Sequence, residues 1–407
     1  MSVPIALDSR ASWTRLAIAL LAGVVGNVGM WAVILVMPAV EAEFGTDRAA
    51  AALPYTLTMV GFALGNYQIG RAVDRFGMAA ALVASALLIA AGYALAAASG
   101  SMAALSAVHF LVGFGSAASF GPLIADVSQW FLRRRGIAVA LVASSNYLSG
   151  AIWPVALSGL LETQGWRAVY LVLAVLTLAV VIPLALLLRR RLPEDMAEHT
   201  TRIAAERAAT TGLSPRALQW LLAIAGVGCC VAMSMPQVHI VAYCVDLGFG
   251  AAIGAEMLSL MLLGGVASRL VSGLMADVLG GVRTLLVGSA LQAIALVLYL
   301  PSAGLTPLYV VSLVFGLAQG GIVPSYAVIV REYLPAKEAG ARVGFVMMAT
   351  IVGMALGGWM SGWIYDLTGS YRMAFVNGIG WNLVNLAIVL TVLMRTRPRL
   401  TAMGLRD

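Results

Sequence analysis

The amino-acid sequence predicts an all-α integral membrane protein of twelve transmembrane helices arranged as two six-helix bundles. Three observations carry that prediction. Residues of the AVILMFWYC set make up 61% of 407 positions against 11% charged, with a mean hydropathy of +0.94, so most of the surface must face lipid rather than water. The apolar residues gather in unbroken runs of about 20, the length a helix needs to cross roughly 30 Å of hydrocarbon. Finally, segments 203 residues apart resemble each other, as Gly70 to Gly77 resembles Gly273 to Gly280.

Taken in order, the apolar runs place spans 1 to 6 near residues 13–38, 49–70, 78–98, 102–126, 136–160 and 166–188. Spans 7 to 12 follow near 216–244, 251–276, 281–300, 305–331, 340–364 and 371–394. The first run is too long for a signal-peptide core, and acidic Glu41 and Glu43 follow it where a cleavage site would need small residues. Between the two sets lies the one long polar stretch. It carries Arg189, Arg190, Arg191, Glu194, Asp195, Glu198, Arg202, Glu206 and Arg207, too many charges for lipid. The chain therefore divides into an N-terminal bundle (1–190), a linker on the membrane surface (191–215) and a C-terminal bundle (216–407).

Charge orients the bundles. The net charge of +7 is not gathered on one polar face, which argues against a nucleic-acid partner. Of the 25 basic residues, 21 fall on the side of the termini and the linker, and only Arg48, Arg167 and Arg372 on the other, with Arg269 inside a span. Cytoplasmic loops carry such an excess, so both termini are expected to face the cytoplasm.

The repeat has internal structure. Gly70-Arg-Ala-Val-Asp74-Arg75-Phe-Gly77 between spans 2 and 3 and Gly273-Leu-Met-Ala-Asp277-Val-Leu-Gly280 between spans 8 and 9 both read GxxxDxxG. Glu162 to Arg167 before span 6 and Asp366 to Arg372 before span 12 both order an acid, a glycine and an aromatic-Arg pair. Equivalent motifs at equal ordinal positions describe parallel repeats related by an axis along the membrane normal.

The first of these motifs resembles the signature loop of the major facilitator superfamily, with Met78 and Ala79 where a basic pair usually follows. Within that superfamily, Trp130-Phe131-Leu-Arg133-Arg134-Arg135-Gly136-Ile-Ala138 is similar to the loop into span 5 of monocarboxylate transporters and oxalate:formate antiporters. His239 to Gly248 and Ser268-Arg269-Leu-Val-Ser-Gly273 resemble spans 7 and 8 of bacterial members, which implies a bacterial inner membrane as the expected location. The resemblance implies the major facilitator fold and a secondary active transporter working by alternating access, without ATP or a cofactor. Its expected cargo is a small lactate- or pyruvate-like monocarboxylate moving with H+, carried by a functional monomer. The alternatives are an efflux carrier for larger amphipathic compounds and an exchanger of dicarboxylates or other organic anions. Two departures bear on coupling: span 1 offers Gly26-Asn27-Val-Gly-Met-Trp31 without the acid or lysine of animal carriers, and Gly265 stands where they have an aspartate.

Among candidate site residues Arg269 comes first. Eight residues separate it from Asp277 and thirteen from Glu256, roughly 12 and 20 Å of helix, which places it near mid-membrane. A charge there costs at least about 2.5 to 3.5 kcal/mol on insertion scales and faces a cavity or a partner. The planar guanidinium suits a bidentate carboxylate, and the competing reading is a buried ion pair. Oxalate carriers add a second cation in span 11; Thr350-Ile-Val-Gly-Met354-Ala-Leu-Gly-Gly-Trp359 has none, which favours one carboxylate.

His239 is expected beside the site, and Asp246, near the outer end of span 7, is the candidate for proton coupling, with a gate or loop cap as its alternative. Asn27 and Trp31 on span 1, Phe120 on span 4, Asn146 and Tyr147 on span 5, and Ser325 and Tyr326 on span 10 are candidates to line the cavity, each weighed against plain packing. Asp74, Arg75 and Asp277 are assigned to gating: an acid at a turn can cap a neighbouring helix and pair with arginine. Asp126 with Arg133 to Arg135 is expected to act similarly.

No enzyme chemistry is legible. His109, His199 and His239 are scattered without metal-ligand spacing, Cys229, Cys230 and Cys244 form no CxxC pair, and neither a GxSxG elbow nor a GxxxxGK[ST] phosphate loop occurs. The cysteines read as buried free thiols.

Overall fold

A computed structural model of the chain describes residues 7–46, 50, 53–191, 202, 204, 206, 212–302 and 304–396. Every regular element among them is helical. Span 1 is a pair of helices, Arg10–Gly26 and Val28–Phe44, parted at Asn27. Spans 2 and 3 are Leu53–Phe76 and Met78–Ala97. Span 4 breaks into Met102–Ser116 and Gly121–Gln129 around a short 3-10 turn. The helix Arg135–Leu187 supplies spans 5 and 6, folded back at Gly165 (φ 79°, ψ 174°). The expected five-residue connection is thus one residue long, possible because glycine alone enters that region without a Cβ clash.

Span 7 is Pro215–Asp246, capped by the Ser214 hydroxyl accepting from the Ala217 amide at 3.2 Å. Spans 8 and 9 are Ala251–Leu279 and Gly281–Tyr299. Span 10 repeats the break of span 4, as Leu305–Gln319 and Ile322–Tyr333. Spans 11 and 12 are Ala339–Thr368 and Arg372–Thr396. Eleven described segments are long and apolar enough to cross a membrane; the twelfth, span 2, is the most polar because it carries Asn66, Gln68, Arg71, Asp74 and Arg75.

The repeat is visible in the backbone. Gly77 (φ 88°, ψ 164°) and Gly280 (φ 81°, ψ 162°) turn the chain identically into spans 3 and 9. Each bundle carries an aromatic plug. Tyr93 stacks on Tyr170 at 5.5 Å in one half, and Tyr299 stacks on Phe375 at 4.8 Å in the other. His109 belongs to the first plug, bonded to the Tyr170 hydroxyl and the Leu105 carbonyl, both at 2.8 Å. Outward lie large apolar side chains such as Val175, Leu263, Val278 and Leu367, as lipid requires. All three cysteines are buried and unbridged.

The halves meet where span 2 lies on span 11 and span 5 on span 8. The start of the linker is tied back to the N-terminal bundle: Arg15 donates to the carbonyl of Arg190, the last residue of that bundle, at 3.0 Å, and Arg191 of the linker donates to the carbonyl of Phe76. His199, Glu194, Asp195, Glu198, Arg207 and Arg48 lie outside the described residues.

Candidate functional site

A cavity of about 210 Å³ lies between the halves, from the depth of Arg269 toward the side away from the termini. Each span that walls it does so with one helical face. Span 1 presents Met30, Trp31 and Ile34; span 2 presents Tyr55, Met59 and Phe62; span 7 presents Cys230, Met233 and Gln237; span 11 presents Thr350, Ile351 and Met354. Spacings of one, three, four and seven put such residues on one stripe. Phe120, Asn146, Tyr147, Leu262 and Val323 complete the wall with Arg269.

Arg269 is 4% exposed, and no carboxylate lies within 4.0 Å of it among the described residues. Its Nη1 donates to the Ala143 carbonyl at 2.7 Å across the interface, and its Nε to the Gly320 carbonyl at 3.2 Å, in the break of span 10. The Tyr147 ring covers one face of the guanidinium, 3.5 Å from Cζ to centroid. Room for that ring comes from Gly265, where a Cβ would approach the ring at 3.2 Å. Two carbonyls occupy two of the five N–H donors of an arginine and neutralise none of its charge.

Phe120, Asn146 and Tyr147 reach the cavity as expected, and so does Trp31, whose indole donates to the Asn146 carbonyl at 3.1 Å. The remaining lining candidates are elsewhere. Asn27 is fully buried, its Nδ2 donating to the Gly23 and Ser119 carbonyls at 2.8 and 3.0 Å, so it stitches the break of span 1 to that of span 4. The Ser325 hydroxyl bonds back to Gly321 at 2.7 Å. Tyr326 points into the C-terminal bundle, donating to Asn385 Oδ1 at 2.9 Å in a buried network with Ser289. His239 also lies off the cavity, held by the Gly358 carbonyl at 2.8 Å and the Tyr371 hydroxyl at 3.1 Å.

Asp246 is exposed at the end of span 7, with the Tyr365 hydroxyl bonded to it. Its counterpart 203 residues earlier is Glu43, which accepts from Trp166 Nε1 and Arg167 Nη1, both at 2.6 Å. Both acids therefore mark the same corner of each bundle, away from the cavity. Asp126 departs from expectation as well: it forms a bidentate pair with Arg15, both contacts 2.8 Å. Arg133 and Arg134 give their amides to Asp8 at 3.0 Å each, whereas Arg135 donates to the carbonyls of Ser128 and Phe131 and, across the interface as the gating expectation requires, to the Arg331 carbonyl at 3.3 Å.

On the terminus side two clasps close the halves. Asp74 accepts from the amides of Gly340 and Ala341 at 2.8 Å each, capping the first turn of span 11. Asp277 accepts from Gly136 and Ile137 at 2.5 and 3.1 Å, capping span 5. A charged cap satisfies helix-end amides and meets the positive end of the helix dipole. The backbones touch here: a Cβ on Gly70 would strike the Gly340 carbonyl, and one on Gly136 the Gly273 carbonyl. Arg75 takes no part; it is exposed and rests on Phe76 at 5.2 Å.

The sulfur-rich wall of Met30, Met59, Met233, Met354 and Cys230 was not anticipated from sequence, since a methionine within an apolar run looks the same facing lipid or cavity. The available signal was Cys230, Met233 and Gln237 at i, i+3 and i+7 on one stripe.

Comparison with known proteins agrees with this geometry. The model of a family described as Major Facilitator Superfamily matches residues 19–305 and 241–403. Monocarboxylate transporter 13 of Bos taurus is 28% identical over 330 residues, 80% of this chain and 76% of that protein. Monocarboxylate transporter 11 of Homo sapiens is 34% identical over 285 residues, 65% of this chain and 58% of that protein. The agnestins efflux protein AgnL12 of Paecilomyces divaricatus is 25% identical over 258 residues, 61% and 57% of the two chains. Among solved structures, the human organic anion transporter MFSD10 superposes with a TM-score of 0.75 at 16% identity, covering 93% of this chain and 99% of that one. The fucose:proton symporter of E. coli gives 0.72 at 15%, covering 95% and 99%.

Proposed function

This chain belongs to the major facilitator superfamily, and on that premise we propose that it is a carrier of monocarboxylates in which Arg269 receives the carboxylate. It is a multi-pass membrane transporter and not an enzyme. The observation that carries the substrate proposal is a buried guanidinium, at the edge of a mid-membrane cavity, with no carboxylate within 4.0 Å among the described residues. A charge in that setting is stabilised by a passing anion, and the single cation favours one carboxylate over two.

The cycle we propose is alternating access. With the terminus side clasped, an acid enters from the far side and reaches Arg269. Release of the Asp74 and Asp277 caps then lets the halves rock, and the Arg269 bond to Ala143 joins the site to that motion because it crosses the interface. Proton coupling belongs to the proposal, since one carboxylate moving with one H+ is electrically neutral. The basic excess supports termini that face the cytoplasm.

The second reading is efflux of larger amphipathic compounds, favoured by the kinship to a fungal efflux protein. Against it stands the cavity of about 210 Å³, below the roughly 300 to 1,000 Å³ of drug-sized sites. Reconstitution of the full chain with Arg269→Gln separates the two. Uptake of radiolabelled monocarboxylates is expected to be lost while the protein still purifies as a folded monomer. Unchanged uptake of every acid tested would remove the anionic cargo, and uptake by the parent protein with no dependence on a pH gradient would remove the proton.

A further inference from the structure

We infer that the preferred cargo is a monocarboxylate with a sizeable apolar body, aromatic or branched and of about five to seven carbons, rather than a short hydroxy or oxo acid. The inference rests on the carboxylate reading of Arg269 and adds what the rest of the cavity selects.

The volume sets the scale. An apolar cavity of roughly 150 Å³ holds a benzene ring. The cavity here, about 210 Å³, leaves roughly 60 Å³ beyond that, about two water volumes, which suits a carboxylate. A lactate-sized acid would leave much of the space empty or wet. The wall gives the chemistry. Sharing the cavity with the guanidinium are Met30, Met59, Met233 and Met354 with Trp31 and Phe62, thioethers and rings that attract apolar and aromatic surface. Unbranched methionines also reshape around bodies of different outline.

Three of the polar side chains on the wall, Asn146, Gln237 and Thr350, already have partners of their own. Asn146 Nδ2 donates to the Met30 sulfur at 3.3 Å, Gln237 Nε2 to Gln319 Oε1 at 2.8 Å, and the Thr350 hydroxyl to the Met347 carbonyl at 2.7 Å. A 2-oxo group that turned to any of these three would strip a donor from its partner, which is costly in a buried site. With Tyr147 over one face of the guanidinium, the carboxylate is left to bind in the guanidinium plane while its body projects toward the sulfurs.

The test is a ligand series on the purified full chain, read as the concentration giving half-maximal thermal stabilisation. Acetate, lactate, pyruvate, benzoate and phenylacetate are compared with the neutral analogues benzamide and benzyl alcohol. Each buried carbon tightens binding roughly fourfold at best, so benzoate and phenylacetate are expected to bind on the order of a hundredfold more tightly than acetate. Lactate and pyruvate should stay close to acetate. Met59→Trp narrows the wall and is expected to weaken benzoate at least threefold more than it weakens acetate; if that variant does not fold, the series on the parent protein decides alone. Lactate or pyruvate binding as tightly as benzoate overturns the inference and leaves Arg269 as a carboxylate anchor. Benzamide equal to benzoate overturns the anchor itself and the inference with it, as does the failure of every acid to stabilise the protein.

Discussion

The clasps on the terminus side and the cavity above them are built from the same repeated spans, yet only the clasps obey the two-fold relation. Asp74 caps span 11 as Asp277 caps span 5, and Gly70 meets Gly340 as Gly136 meets Gly273. The cavity breaks the relation at several positions, and the one that changes its charge is Arg269. The residue 203 before Arg269 is Asn66, whose Oδ1 accepts from Gly121 in the break of span 4, much as Arg269 binds Gly320 in the break of span 10. Both side chains bridge to a broken helix; one is neutral, the other charged with no carboxylate beside it among the described residues. Motion can be built symmetrically, whereas recognition of one carboxylate needs one cation and therefore an inequality between the halves.

The largest effect is expected at the backbone contacts. Gly136→Leu and Gly340→Leu each place a side chain where a carbonyl of the other half lies, so the clasped state should be lost and transport abolished in reconstituted vesicles. If only one of the two abolished it, the symmetry of the clasps would fail. Next is the pair at the broken helices. Arg269→Gln should weaken acid binding roughly a hundredfold, the equivalent of about 3 kcal/mol for a charged bidentate contact. Asn66→Ala should instead cost about 1 to 3 kcal/mol of stability through its unpaired partners, with acid affinity nearly unchanged. Equal losses of affinity would erase the inequality.

Smaller shifts are expected from the caps. Asp74→Asn and Asp277→Asn each weaken a charged cap by about 1 kcal/mol, roughly a fivefold change in the population of the clasped state. The readout is maleimide labelling of Cys230 from the terminus side in a Cys229→Ser, Cys244→Ser background, and the two variants should match each other. Least of all, Arg75→Ala and Asp246→Asn should leave uptake and its dependence on a pH gradient within about twofold, since each lies outside clasp and cavity. A loss of proton-driven uptake in Asp246→Asn alone would restore that residue to the coupling machinery.

Much of this was readable from the chain. Span positions follow from the apolar runs, and the depth of Arg269 from counting residues between charges. The gating acids were legible because a carboxylate at a turn has free amides of a neighbouring helix end within reach. Orientation about a helix axis was not. Tyr326, His239 and Asn27 sit at plausible depths, but their directions are set by partners on distant spans: Asn385, Gly358 and Ser119. In lipid the outward and inward faces of a span are both apolar, so the amphipathic stripe that orients a helix in water is faint. The hairpin at Gly165 was missed for a related reason, because one residue with positive φ leaves no polar loop to notice.

The acids of the clasps grip helix ends rather than other side chains, and this shapes the energy of opening. When the halves part on that side, the amides of Gly340, Ala341, Gly136 and Ile137 and the two carboxylates meet incoming solvent, which can take over every bond they lose. Hydration in exchange for capping is close to an even trade, worth about 0.5 to 1.5 kcal/mol per bond. The gate can then be strong in geometry and nearly neutral in free energy, so that a cargo contributing only a few kcal/mol decides which way the protein faces.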